Sequence, residues 1–379
     1  MQITVLGAGM VGSAIARKLA EDGRFQISAA DRSPQALADL AQRAPVQSHC
    51  ADLSSPATLH DLIAAADLVI SAVPGFMGFA TLKTVIEARK NVVDISFFEE
   101  DAYDLDALAR LNGVTAVVDC GVAPGLSNII AGYARNQLDE IDLIDIAVGG
   151  LPQARHWPFE YKAVFSPVDV IEIYTRPAWL VEHGREVARP ALSGLELIDF
   201  PGVGTLEAFN TDGLRTLRRT LRAPNMRERT LRYPGHANLM RVFRESGFFS
   251  DEAIDVRGQH VRPIDLTSRL LFEQWRMGKG DADMTVFQTV IEGRKADQRL
   301  RLSYDMVDRF DEATQTSSMA RTTGYTCAAV ARQVLAGRYA AKGICAPEEV
   351  GGTPGCYEAL LADFAPSNLH ITETITALR

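Results

Sequence analysis

The chain has no apolar run approaching the roughly 18 residues of a membrane-spanning helix, and no leader-type segment stands before its first strand. Both absences point to the cytoplasm and to no membrane partner. Positive charge is not in excess: 39 lysines and arginines face 48 acidic residues, for a net charge of −9. A general nucleic-acid partner is therefore not expected. Cysteine is scarce and unpatterned. Cys50, Cys120, Cys327, Cys345 and Cys356 are odd in number and form no CxxC. That excludes a disulfide framework and a zinc site, and no metal is expected. Internal repeats and low-complexity tracts are missing as well. What remains is an ordinary globular composition, 47% hydrophobic and 23% charged over 379 residues, enough for two domains with a core each.

The first of these begins at once. An apolar strand from Ile3 runs into Gly7-x-Gly9-x-x-Gly12, and a helical pattern through Ala14, Ile15 and Leu19 starts inside the motif. Gly7 permits a tight turn, Gly9 lets backbone N–H groups approach a pyrophosphate, and Gly12 allows close packing of helix on strand. Met10 and Val11 open the helix, whose N-terminus favours the anion. Asp31 ends the next strand nineteen residues after Gly12, where a carboxylate takes the adenosine ribose hydroxyls. It repels a 2′-phosphate, so the expected cofactor is NAD. Arg32 either pairs with such a phosphate, stacks on adenine or faces solvent. Strands and helices then alternate, which predicts a Rossmann doubly wound parallel sheet. Its ligands belong at the carboxyl ends of the strands, at Asp52, Val73-Pro74, Ser96 and Cys120-Gly121.

From about residue 126 the rhythm changes to alternating strands with intervening helices at 168–174, 239–245 and 263–276. This predicts a second, α+β domain with a mostly antiparallel sheet. Residues 1–125 should form the dinucleotide domain, completed by about 320–350, and residues 126–319 the substrate-binding and oligomerisation domain.

Several side chains are candidates for chemistry. Asp119 is either part of a structural network or a polar group beside the reacting carbon. Cys120 fits a small wall residue better than a nucleophile, since hydride transfer requires no thiolate. Lys162 either projects into a cleft or is a solvated charge. Ser166 can cap the helix that follows it, with Pro167 at the first position. Of seven arginines between 214 and 232, Arg218, Arg219 and Arg222 have the spacing of a solvated helix face. Arg232 sits in the irregular Thr230-Leu-Arg-Tyr-Pro-Gly-His236 and suits a bidentate clamp on a substrate carboxylate. His236 is a surface histidine or a proton carrier.

Longer segments carry a resemblance. Gly149-Gly-Leu-Pro152, Tyr161-Lys162 with Ser166-Pro167, Glu172-x-Tyr-Thr-Arg-Pro-Ala178, Thr230 to His236 and Ser317-Ser-Met-Ala-Arg-Thr-Thr-Gly324 resemble the lysine-oxidising branch of the saccharopine dehydrogenase-like family. Asp119-x-Gly-Val-Ala-Pro-Gly-Leu-Ser-Asn128 in the first domain does too. The resemblance implies NAD-dependent oxidative deamination of the lysine ε-amino group, an amino-acid substrate and a homo-oligomer joined through the second domain. The chemistry of such a reaction then assigns Arg232 to the α-carboxylate, Lys162, Asp119 or His236 to the proton and the water that hydrolyses the imine, and Tyr161 and Ser166 to orienting these groups. A saccharopine- or opine-type enzyme acting on a secondary amine, and a non-catalytic NAD-binding regulator, stay open beside it.

Overall fold

The structure, a computed structural model, describes residues 1–163, 167–278 and 280–379. The chain divides into two compact units. One comprises Met1–Asp139, Arg219–Leu221 and Ala320–Ile371; the other comprises Glu140–Arg218, Arg222–Met319 and Thr372–Arg379. The crossing thus falls at residue 139 rather than 125, because the helix Leu126–Arg135 packs with the first unit.

The first unit holds strands β1 (Gln2–Leu6), β2 (Gln26–Asp31), β3 (Val46–Cys50), β4 (Leu68–Ser71), β5 (Asn91–Asp94) and β6 (Thr115–Val117). Their order is β3-β2-β1-β4-β5-β6, all parallel, and Gly343–Cys345 adds a seventh strand beside β6. Every residue of β4 is buried, as expected for a parallel strand covered on both faces. Two of the connecting helices start as their sequences predict. Ser33 accepts from the Ala36 N–H at 3.2 Å and Ser55 from the Thr58 N–H at 3.4 Å, each followed by proline at the first helical position.

In the second unit the strands are β7 (Glu140–Pro152), β8 (Ala178–Glu182), β9 (Arg185–Arg189), β10 (Glu196–Phe200), β11 (Gly204–Asn210) and β12 (Asn225–Arg232), then a small hairpin, β13 (Ile254–Val256) and β14 (Gln259–Val261), and finally β15 (Asp283–Lys295) and β16 (Gln298–Arg309). The main sheet runs β10-β11-β12-β7-β15-β16, and Thr372–Leu378 closes it beyond β16. Pairing is antiparallel except between β12 and β7. The acidic alternation of β7 would suit a half-exposed strand, yet β7 lies centrally and is buried from Ala147 onward. Its acid is accommodated by pairing: Asp145 receives Arg227 at 2.7 Å and Arg229 at 2.9 Å. Consecutive residues of β11 and β12 feed two cores. Ala208, Leu231 and Tyr233 pack with Leu151 and Met284, whereas Phe209 packs with Tyr161, Tyr174 and Trp275.

The returning segment is tied to the first unit by backbone contact. A Cβ on Gly132 would fall on the Glu348 carbonyl, and one on Gly351 on the Ile129 carbonyl. Asn128 then donates to Glu348 Oε2 at 3.1 Å and Asn136 to the Gly352 carbonyl at 2.8 Å. Replacing Gly132 with alanine should destabilise the protein by about 1–3 kcal/mol through overpacking. Urea unfolding should show a lower midpoint at unchanged slope; an unchanged midpoint would contradict this contact.

Candidate functional site

The glycine motif builds a cradle that fits a dinucleotide. Gly7 has φ +102° and a Cβ there would strike the Ala72 carbonyl. At Gly12 a Cβ would strike the carbonyl of Gly7, so the helix Met10–Ala20 lies directly on the turn. Gly9 is different: the space where its Cβ would stand is open, which leaves the helix N-terminus approachable by an anion. Asp31 Oδ2 accepts from the Ala8 N–H at 2.7 Å and Oδ1 from the Ser33 N–H at 2.8 Å, so its carboxylate is fixed beside the glycine turn. Asp52 is held below the usual carboxylate range by the Ser54 N–H and hydroxyl, with a smaller contribution from Arg32. Met10, Arg32 and Pro74 are exposed at this edge, Val11 is half-buried, and Val73 is buried.

Ser96 and Cys120 lie deeper, gathered by a residue that sequence reasoning missed. Asp94, the last residue of β5, has 0% exposure. Its Oδ1 accepts from the Ser96 N–H at 2.6 Å, and its backbone carbonyl from the Cys120 N–H at 2.9 Å. Its Oδ2 is buried with no partner among the described residues. Burial pushes the carboxyl up to about 7, and the charge of Asp119 adds to that. Burial also raises the Cys120 thiol, so it stays protonated. Asp119 itself is buried at φ +52°, a left-handed conformation that aspartate tolerates, at the start of the turn that includes Gly121. The signal for Asp94 was present, since a carboxylate ends an otherwise apolar buried strand.

The second unit gathers Tyr161, Arg232 and His236, and adds Tyr174 and Trp275. Arg232 closes β12 at 2% exposure, with its guanidinium 4.5 Å from the centre of the Tyr161 ring. Its Nη1 donates to the Leu231 carbonyl at 2.9 Å, and no carboxylate pairs with it among the described residues. Three buried donors have no acceptor there: Arg232 Nε, Tyr161 Oη and Trp275 Nε1. The rings of Tyr161 and Trp275 meet edge to face at 5.3 Å. His236 opens the helix His236–Glu245. Its Nδ1 stands 2.8 Å from the Phe159 carbonyl and its Nε2 2.8 Å from Tyr174 Oη. A carbonyl only accepts, so Nδ1 carries the proton and Nε2 accepts from Tyr174. Burial, and then the Arg232 charge, pull His236 down to about 3, so the ring is neutral. Burial raises both phenols against the opposing pull of Arg232.

Lys162 turns elsewhere. Its Nζ donates to the carbonyls of Gln274 and Arg276, each at 3.2 Å, at the end of the helix Pro263–Trp275. A lysine suits a helix C-terminus. Ser166 lies outside the described residues. The arginines expected on a solvated helix face are dispersed, for the helix Leu217–Thr220 has only four residues: Arg218 pairs with Glu186 and Arg219 with Asp101. Tyr174 and Trp275 were missed because nothing local separates them from core aromatics; only the fold brings them to Arg232.

Residues 3–117 match the family model described as the saccharopine dehydrogenase NADP binding domain, and residues 121–367 match the saccharopine dehydrogenase C-terminal domain. Among curated relatives, the mitochondrial alpha-aminoadipic semialdehyde synthase of Mus musculus is 24% identical over 69% of this chain and 30% of its own length. The chain therefore spans about a third of that protein's length. Carboxynorspermidine synthase of Vibrio cholerae is 23% identical over 93% of both chains. The solved saccharopine dehydrogenase (L-Glu forming) of Saccharomyces cerevisiae superposes with a TM-score of 0.81 at 18% identity, covering 99% of this chain and 100% of that one. This last likeness shows the fold. Residues 3–117 thus form a nicotinamide-dinucleotide-binding domain.

Replacing Asp94 with asparagine isolates its titration. The folded value, about 7, lies above the ordinary 3.8, so the stabilising protonated form is complete below about pH 4 and is lost as pH rises through 7. The variant should match the parent's melting temperature at pH 4 and exceed it by several degrees at pH 8.5; a constant difference across that range would exclude a buried, neutral Asp94.

Proposed function

We propose, for a chain that belongs to the saccharopine dehydrogenase family, that the reaction is the NAD-dependent oxidative deamination of L-lysine at its ε-amino group, a lysine 6-dehydrogenase activity. The product is allysine, which cyclises to piperideine-6-carboxylate. The observation that carries an amino-acid substrate is the buried, unpaired guanidinium of Arg232 with the orphaned donors of Tyr161 and Trp275. A buried cation without a counter-ion is costly, and three donors without an acceptor add to the cost. A substrate carboxylate answers both deficits. The surrounding aromatic walls suit the aliphatic chain of lysine.

The bound dinucleotide supplies a hydride acceptor. A carboxylate fixed beside the glycine turn, as Asp31 is, supports NAD, since it would repel a 2′-phosphate on a ribose bound there. The protein's task is to hold the substrate with its nitrogen neutral, since only a neutral amine can push electrons toward the forming iminium. A free lysine ammonium has a pKa of about 10.4, so reaction at neutral pH needs a shift of about three units, or roughly 4 kcal/mol. The Arg232 contact with the carboxylate offsets that cost. His236 serves as the acceptor that orients the Tyr174 hydroxyl, not as a proton carrier, since it stays unprotonated.

One observation favours a second reading. The Vibrio cholerae relative, matched over 93% of both chains, is named for carboxynorspermidine, a carboxylated secondary amine, which supports a reaction on such a compound. Initial rates of NADH or NADPH formation, measured with lysine and with a panel of carboxylated secondary amines including saccharopine, separate the two. Lysine with NAD should be fastest, and the rate should climb from pH 7 to about pH 10. A flat profile, or turnover of secondary amines alone, would sink the lysine assignment. Replacing Arg232 with lysine should raise the KM for the amino acid about 100-fold, as a bidentate contact becomes a point charge, while the KM for NAD stays within about twofold. Equal effects on both would remove the clamp.

A further inference from the structure

At the ends of β7 and β12 the second unit has a cavity of about 620 Å³, bounded by Arg155, Val203, Tyr233, Pro234, Met284 and Arg309 among others. No aspartate or glutamate lines it. It is separate from the Arg232 cluster. Arg232 and Tyr233 are consecutive at the end of β12 and pack into different cores, one with Tyr161 and Trp275 and the other with Leu231 and Met284.

The two arginines differ in how their charge is met. Arg155 pairs with Glu160 at 2.7 Å, and its guanidinium lies 4.8 Å from the centre of the Tyr233 ring. Arg309 has no acidic partner among the described residues. Its Nη1 reaches Met284 Sδ at 3.5 Å, and its Nη2 reaches the Gly202 carbonyl at 3.4 Å, the outer limit of hydrogen bonding. Tyr233 donates its own hydroxyl to the Pro152 carbonyl at 2.9 Å, so it offers the cavity a ring face rather than a donor. Val203, Pro234 and Met284 complete an apolar wall.

We propose that this cavity binds a small organic carboxylate, taken by the free face of the Arg309 guanidinium with Arg155 beside it, its carbon body resting on Tyr233 and Met284. The arginines set the charge of the occupant, and the apolar wall distinguishes an organic acid from a bare inorganic anion.

Calorimetric titration of the full chain with succinate, and separately with inorganic phosphate, tests this without turnover. The outcome is therefore independent of the reaction proposed above. Arg309→Gln is the variant, with its melting temperature checked against the parent. Succinate should occupy a site in the parent that weakens with added salt, and the variant should lose about tenfold or more in affinity at that site. Arg309→Lys should retain part of it. Phosphate should bind this site more weakly than succinate. Succinate affinity unchanged by Arg309→Gln, absence of succinate binding to the parent, or phosphate binding here as tightly as succinate would each overturn the proposal.

Discussion

Burying the Arg232 guanidinium without a carboxylate is the constraint around which the second unit is arranged. The strand β12 ends on it, and the helices His236–Glu245, Pro167–Thr175 and Pro263–Trp275 bring His236, Tyr174 and Trp275 into the same aromatic core. An arginine three residues earlier makes the contrast. Arg229 also belongs to β12 and is also buried, but Asp145 and Glu196 meet it at 2.9 and 2.7 Å. Arg229 is structural because its charge is answered within the fold. Arg232 is answered by aromatic faces and one carbonyl, and its Nε is left without an acceptor among the described residues.

Carboxylates at the ends of the parallel strands obey the same accounting with the sign reversed. Asp31 and Asp94 both close a strand at the same edge of one sheet. Asp31 is half-buried with an N–H donor on each oxygen, and that arrangement suits an ionised group facing a polar ligand. Asp94 is sealed, with a donor on one oxygen and none on the other, so the proton stays on to about neutral pH. Position in the topology is shared; solvation separates a half-buried, doubly hydrogen-bonded carboxylate from a sealed anchor for the Ser96 and Cys120 turns.

The sequence made the first unit legible because its signals are local. Gly7, Gly9, Gly12 and Asp31 act within one strand–turn–helix–strand stretch, and the Ser-Pro helix starts at 33–34 and 55–56 depend on neighbouring residues alone. The second unit was legible in class but not in detail. The alternation of β7 resembles an edge strand until Arg227 and Arg229 are brought across to Asp145, a pairing over more than eighty positions of chain. Arg232 stood out through its irregular surroundings, yet Tyr174 and Trp275 look like any core aromatic on a helix. Lys162 invited a catalytic role by its neighbours, whereas its geometry follows from the end of a helix more than a hundred residues away.

The neutrality of His236 follows first from burial and then from the charge of Arg232. A second positive charge is disfavoured in this buried core beside Arg232, so the imidazole stays neutral and holds Tyr174 through Nε2. Tyr161 and Tyr174 are pushed up by burial and remain phenols into the alkaline range. Within this cluster, then, the side chains keep fixed protonation states across the range in which an amine titrates. A pH response of a reaction at this core would therefore have to come from the bound molecule and not from these side chains. That is the behaviour expected of a preorganised receptor, whose donors are set before the ligand arrives and are not rearranged by it.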